Sequence, residues 1–474
     1  MGRKTGERPG LLSNSGRKSV LHGRGERENQ TNHVQIEPDQ RRRGEVYYGS
    51  QTARRIPYVC GCAEPGRRFR AGVPIQRRAC PCRPVDRGQE RHGIMDRSKS
   101  TEITNVYDSA AVRPVIPADS ASLFSPRSES DWTYSHHPHI AFYKERLYAI
   151  WSNGRVNEDD AGQRVLISSS DDFFHWSEPK PLVDTTMGKH SELVLTAAGF
   201  HRHGEALTAY VGQYEYKPEH LVGGARIGGD HGHTDTSLYA LTTTNGNDWS
   251  EPIPMGVPII PNHGPQQTRS GRLIISGNIM YPYTDDPAGL SGWVKTGIYP
   301  PDRTEGLCDD SESFWTVKEA RGWPVGLCEG SFCETDDGVI RMLLRSNSDK
   351  LWVTESKDDG EVWSEPRPTE FTDNNTKFHL GRLPDGRFYY VGSPDPTPRG
   401  KRNPLVLSLS RDGAVFDRHY ILRDEHCRKT FAGLYKGGEY GYPHSIVQSD
   451  YLYVIYSICK ERIAAVRVRL DTIL

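Results

Sequence analysis

Net charge, long apolar runs and helical periodicity are what this sequence lacks. Sixty Lys and Arg stand against sixty-one Asp and Glu in 474 residues, a formal charge of −1 at pH 7. No global field therefore draws the chain to nucleic acid or to an anionic membrane surface. No apolar run is long enough to cross a bilayer. Neither Met1 nor Met95 is followed by the apolar core of a signal peptide. The expectation is a soluble, cytoplasmic protein with no nucleic-acid or membrane partner.

Cysteine is also sparse, nine residues in all. Cys308, Cys328, Cys333, Cys427 and Cys459 are scattered and odd in number, and read as reduced core thiols. Cys60, Cys62, Cys80 and Cys82 make a CxC…CxC arrangement. Zinc modules favour CxxC-type spacing in a compact apolar context. The surrounding "CAEPGRRFRAGVPIQRRACPCRP" offers neither, so no metal site is assigned there.

The even charge balance conceals an asymmetry. Residues 1–94 carry about twenty Lys and Arg against about nine Asp and Glu, which leaves the remainder acidic. This Arg/Gly/Gln-rich segment shows no sustained periodicity. It cannot bury enough surface to offset its ordering entropy, and is expected to be disordered. Met95, at its end, offers an alternative start for the natural chain.

From about residue 130 the texture changes to short β-type runs separated by Gly, Asp, Asn and Pro turns. A repeat runs through them. "SSDDFFHWSEP" (169–179), "TTTNGNDWSEP" (242–252) and "SKDDGEVWSEP" (356–366) share the frame S/T-x-D-x-G-x-x-W, and "LSRDGAVF" (409–416) is a worn copy. A second element, strand–turn–strand, occurs six times, beginning with "HHPHIAFYKERLYAIWS" and ending with "YPHSIVQSDYLYVIYS". Regular spacing of such units is the signature of a β-propeller. The expected fold is all-β, a six-bladed propeller within 104–474, with seven blades as the alternative if 104–128 starts another.

If each unit begins with its innermost strand, a set of polar residues faces the axis. They are His136, His137 and His139 around Pro138, then His263, Glu329, His379 with Arg382, and Tyr442 with His444. Unpaired polar groups in such a funnel cost free energy unless a ligand or water satisfies them. "AYVGQYEY" adds Tyr210, Tyr214 and Tyr216, with Arg226, His201 and His203 nearby. The insertion 217–237 reads as a solvated loop, with metal binding through His231, His233 and Asp235 as its alternative. No cofactor is required by these residue types, and calcium or another divalent ion is compatible with them.

The S/T-x-D-x-G turns on a propeller resemble the Asp-box (BNR) repeats of the sialidase superfamily, over about residues 130–474. The resemblance implies a site. "CEGSFCETDDGVIRMLLRSN" supplies Glu329 at the start of an inner strand and Arg345 after the turn, as in the sialidase carboxylate clamp. Arg402 matches a second clamp arginine, with Arg399 the weaker choice. Tyr442 opens the final inner strand, where the catalytic tyrosine stands. Asp159 or Asp160 in "NEDDAGQR" matches the acid/base aspartate. Arg155 and Tyr210 join His263, His379, Arg382 and His444 as candidate substrate contacts.

One element departs from that family. Its first strand opens with Arg-Ile-Pro, and superposing this on "HHPHI" puts His136 where the first clamp arginine should be. Arg55-Ile56-Pro57 has no strand pattern after it and is treated as a decoy. Three guanidinium forks suit a sialic acid carboxylate. A histidine in place of one adds a group that moves protons near neutral pH. The run "HHPHI…AIWSNG…NEDDAGQRV" more closely resembles propeller glycosidases and lyases acting on rhamnosyl-glucuronate ends. The implied function is an exo-acting carbohydrate enzyme on an acidic sugar of an oligo- or polysaccharide, by hydrolysis or by His/Tyr-assisted β-elimination. A true exo-sialidase and a non-catalytic glycan- or protein-binding propeller are the alternatives.

Overall fold

The computed structural model describes residues 102–223, 225–227, 233–299, 322 and 325–473. The segment 1–94, with its four cysteines and Arg55-Ile56-Pro57, lies outside the described residues, as do His231 and Cys308. Regular structure among the described residues is β throughout, apart from three single 3-10 turns at Glu129–Asp131, Pro218–His220 and Leu470–Thr472.

Consecutive strands pair antiparallel into meanders, as the strand–turn–strand repeat predicts. The first is Tyr134–Tyr143, Arg146–Gly154, Arg164–Ser170 and Lys180–Val183; the second is Val194–His203, Ala206–Tyr216, His233–Thr243 and Ile253–Pro254. A three-stranded sheet follows, His263–Gln267, Leu273–Ser276 and Tyr283–Thr284. The strands Leu327–Glu334, Ile340–Ser346, Lys350–Ser356 and Arg367–Thr372 form one half of a nine-stranded sheet. Its other half is His379–Arg382, Phe388–Gly392, Leu405–Ser410 and Val415–Arg423. Thr104–Asn105 joins the halves by running parallel to the outer strand of each. The last sheet, Tyr440–Gln448, Tyr451–Ile458 and Arg462–Arg469, takes Asp119–Phe124 as its outer strand. The segment 104–128 therefore completes existing sheets.

The sheets follow one another around a ring. Strand Tyr134–Tyr143 lies beside Val194–His203 on one side and Tyr440–Gln448 on the other, so the last sheet returns to the first. Apolar clusters fill each gap. Ile140 and Trp151 pack with Ile455 and Ile463 between last and first sheets; Ile150 and Ile167 pack with Leu195 and Ala209 between first and second. Burying both faces of each sheet is why the strands read as near-continuous apolar runs.

The repeated turns link the third and fourth strands of their meanders and use one hydrogen-bond scheme. Ser170 Oγ accepts the N–H of Phe173 at 2.9 Å, and Asp172 Oδ1 accepts those of Phe174 and His175 at 2.9 and 2.8 Å. Thr243 with Asn245, Ser356 with Asp358, and Ser410 with Asp412 repeat it. Side chains thus satisfy backbone donors that have no ladder partner. Where the frame keeps its glycine, the conformation needs it: Gly246 has φ +79°, and an added Cβ would meet Tyr148 Oη at 1.9 Å. These turns are structural.

Candidate active site

First strands from four sheets bring His137, Thr196, Glu329 and Tyr442 to the wall of one cavity of about 320 Å³. Each of His137, Glu329 and Tyr442 sits on a β-bulge. The ladder register shifts between His136 and His139, between Cys328 and Gly330, and between Gly441 and His444. The bulged residues have φ of +52°, +49° and +54°. A left-handed conformation costs a non-glycine residue roughly 1–2 kcal/mol. Its return is direction: a bulge breaks the strict alternation of a strand and re-aims one side chain.

The floor of the cavity is a hydrogen-bonded trio. Tyr442 donates its O–H to Glu329 Oε1, and Arg345 Nη1 donates to Glu329 Oε2. Arg345 Nη1 also lies 3.1 Å from Tyr442 Oη, and its Nε donates to Asn375 Oδ1 at 2.9 Å. Burial pushes the Glu329 carboxyl up, but the Arg345 charge and the two hydrogen bonds outweigh it and hold it below the usual carboxylate range. Burial, and then the Glu329 charge, raise the Tyr442 phenol well above 10. At neutral pH the resting site therefore holds a carboxylate, a guanidinium and a neutral phenol in contact.

Arg402 lies beside the trio, in the loop before Leu405–Ser410. Its Cζ is 5.6 Å from the Tyr442 ring centroid, and its Nη2 donates to Asn375 O at 3.4 Å. Its Nε and Nη1 are buried with no protein partner. Arg402 itself lines the cavity and brings a second guanidinium charge to it.

The histidines divide into two groups. His136 is fully buried, with Nδ1 2.6 Å from Ser457 Oγ and its ring 3.9 Å from that of Tyr442. It backs the tyrosine and does not line the cavity. His137 does, with Nδ1 3.2 Å from Ser152 Oγ. Of the run His136, His137 and His139, the bulge thus presents His137 to the cavity. Burial, then the charges of Lys377 and Lys460, hold His137 well below 6.5, so it is a neutral imidazole and no substitute for a fixed cation. His139, His263, His379 and His444 form a separate buried ring cluster.

Asp159 lines the cavity at φ +56°, while its neighbour holds the loop together. Asp160 accepts from Asn157 Nδ2 at 2.6 Å and from the Arg226 N–H at 3.2 Å. Tyr214, Arg226 and His233 also line the cavity, with His233 ring-stacked on Tyr214. Asp235 pairs with Lys189 at 2.5 Å.

Besides His263, His379 and His444, three further expected substrate contacts lie outside the cavity. Arg155 makes a forked pair with Glu192, both contacts 2.8 Å, and is half exposed. Tyr210 is a core residue whose O–H donates to Gly289 O at 2.9 Å. Arg382 pairs with Asp336 at 2.5 Å on the surface, at the far end of its strand. Sequence reasoning missed Lys460, which meets Glu158 at 2.5 Å in the cavity wall, and Asn375, which orients both arginines. Neither follows a repeat position, so no periodic signal marks them.

Two family models match the chain: a BNR repeat-like domain over residues 232–454, and an N-terminal β-propeller over 119–191. No curated protein sequence matches it. Among solved structures, a protein of unknown function from Dyadobacter fermentans is 15% identical, with TM-score 0.53, over 75% of this chain and 99% of that one. Trypanosoma rangeli sialidase in complex with sialic acid is 15% identical, with TM-score 0.51, over 76% of this chain and 60% of that one. The NanB sialidase of Streptococcus pneumoniae is 13% identical, with TM-score 0.50, over 76% of this chain and 71% of that one. At these identities the likeness is one of fold, and in fold the chain is a sialidase-like β-propeller.

Proposed function

We propose that this chain is an exo-acting glycosidase on a six-bladed propeller, and that it cleaves a terminal glycosidic linkage involving an acidic sugar, with a rhamnosyl-glucuronate end as the favoured substrate. The observation that carries this reading is the Tyr442–Glu329–Arg345 trio on the cavity floor. Tyr442 is the nucleophile. Its oxygen attacks the anomeric carbon as its proton passes to Glu329, and Arg345 stabilises the charge that develops on both. A neutral phenol avoids the repulsion that a carboxylate nucleophile would meet from an acidic substrate. Asp159 protonates the departing glycosidic oxygen, then deprotonates the water that releases the sugar. Arg402, in the cavity wall, supplies its guanidinium charge to the substrate carboxylate.

A specific observation favours a second reading, β-elimination. His137 lines the cavity as a neutral imidazole with Nδ1 on Ser152, which leaves Nε2 to take or give a proton. An activity screen on a sialoside, a rhamnosyl-glucuronate disaccharide and ulvan oligosaccharides separates the two. Reducing ends without new ultraviolet absorbance, abolished by Tyr442→Phe and spared by His137→Ala, is the expected result. Rising absorbance from an unsaturated uronate, with the sensitivities reversed, would establish elimination. Cleavage of the sialoside alone would make the chain a true exo-sialidase. No cleavage, with binding that survives Glu329→Ala, would make it a binding propeller.

A further inference from the structure

Below the cavity, the ring axis holds a cluster that the glycosidase reading does not use. His139, His263 and His444 come from the first strands of three different sheets. One ring nitrogen from each lies within 4.8 Å of the other two. His139 and His263 are fully buried, and none of the three lines the cavity. We propose that these histidines form a site for one divalent transition metal of the zinc class, which braces the propeller at its axis.

The argument rests on unspent lone pairs. His263 Nε2 lies 2.8 Å from Phe378 O. A carbonyl only accepts, so Nε2 carries the proton and Nδ1 is left as a bare lone pair. That Nδ1 is buried and has no partner, and neither nitrogen of His139 has one. Orphaned polar atoms of this kind are costly in a core and call for an occupant. A backbone carbonyl on the far nitrogen of a ligating histidine is the usual outer-shell support of a metal site. Three neutral imidazoles with no carboxylate or thiolate select zinc, copper, nickel or iron over magnesium or calcium.

Tetrahedral zinc with bonds of about 2.0–2.1 Å sets ligand nitrogens roughly 3.3 Å apart. The rings therefore have to turn inward by about an ångström. His444 gives up most in doing so, because its Nδ1 now receives the Ile140 N–H at 3.3 Å. His379 stacks against His263 and His444 but holds Ser445 through its Nδ1, which leaves the fourth position to water.

The test uses the full chain, stripped with a chelator and titrated with Zn2+ and, separately, Co2+ at pH 8. One equivalent of each is expected, bound with sub-micromolar affinity. The Co2+ form is expected to show visible tetrahedral-type absorption without a thiolate charge-transfer band, and Zn2+ to raise Tm by several degrees. His139→Ala and His263→Ala are each expected to weaken Zn2+ binding at least a hundredfold, with the exposed His175→Ala unchanged. Should either variant fail to fold, the spectrum and stoichiometry of the unaltered chain still decide. No uptake overturns the proposal. So does a thiolate band, which would place the metal at the cysteines, and so does one-equivalent binding that survives both substitutions.

Discussion

Replacing Arg345 by Met removes the partner of a nearly buried carboxylate, and its cost is expected to depend on pH in a calculable way. The Arg345 and Glu329 side chains are 17% and 12% exposed. Without the guanidinium, Glu329 either stays charged in a poorly solvated site or takes up a proton. Breaking a buried pair costs about 3–5 kcal/mol when the charge remains. Protonation caps that cost. From an ordinary carboxyl value of 4.5, holding the proton at pH 7 costs roughly 3 kcal/mol, and at pH 5 less than about 1 kcal/mol, at 1.36 kcal/mol per pH unit. The lost hydrogen bonds to Tyr442 and Asn375 add about 1–2 kcal/mol at either pH.

The signs run in opposite directions in the two proteins. In the unaltered chain the Glu329 value is depressed by folding, so its stabilisation is present above the unfolded value and is lost as pH falls through the folded one. In the variant the folded value is raised, so the unfolded state binds fewer protons and stability falls as pH rises from 5 to 7. The gap between the two proteins should widen by roughly 2–3 kcal/mol over that interval. Urea unfolding followed by tryptophan fluorescence at pH 5, 6 and 7 measures it. The double variant Glu329→Gln, Arg345→Met should show almost no such slope. A cost for Arg345→Met that is the same at pH 5 and 7, or below about 1 kcal/mol at pH 7, would refute the reasoning.

Asp159→Asn should lower kcat by about 10²–10⁴ as the loss of a general acid, with Asp160→Asn far milder in kcat; steady-state kinetics on the substrate found by the screen compares them. Arg402→Gln should raise KM on an acidic glycoside about tenfold or more and leave a neutral-sugar analogue unaffected, measured on a matched substrate pair. Gly246→Ala should destabilise by about 2 kcal/mol or more, because the new Cβ collides with Tyr148 at a φ of +79°. Thermal melting reads that loss, and catalysis at low temperature should be unchanged.

Much of the architecture was legible because propeller units are local. Each strand–turn–strand copy pairs with itself, so apolar alternation and the Asp/Gly turns carry the fold within a window of about 50 residues. The site was legible where it follows the repeat: Glu329, Tyr442 and the His136–His139 run all lie at the same point of their units. It was illegible where side chains depend on packing between units. Tyr210 shares a motif and, four residues apart, a strand face with Tyr214, yet Tyr210 packs in the core and Tyr214 lines the cavity, so position along the strand rather than alternation separates them. Arg155 and Arg382 are spent on Glu192 and Asp336, partners 37 and 46 residues away that no local pattern connects to them.

The bulges decide which residue of each inner strand reaches the cavity. His137, Glu329 and Tyr442 are followed by Pro138, Gly330 and Pro443. Proline has no N–H to give the ladder and is confined in sheets to edge strands, strand starts and bulges; Pro138 and Pro443 each sit on the edge strand of their sheet, at a bulge. Glycine permits the same break from its partner, and here has no room for a side chain: a Cβ on Gly330 would meet Met342 Sδ at 2.7 Å. A register shift at His137-Pro138 exchanges which residue of a pair faces the axis. The third sheet obeys the same rule, with its register shift between His263 and Gln266 spanning Gly264-Pro265. At His137, Glu329 and Tyr442 the left-handed backbone and the broken ladder thus belong to one device, encoded by a proline or glycine one residue past the aimed side chain.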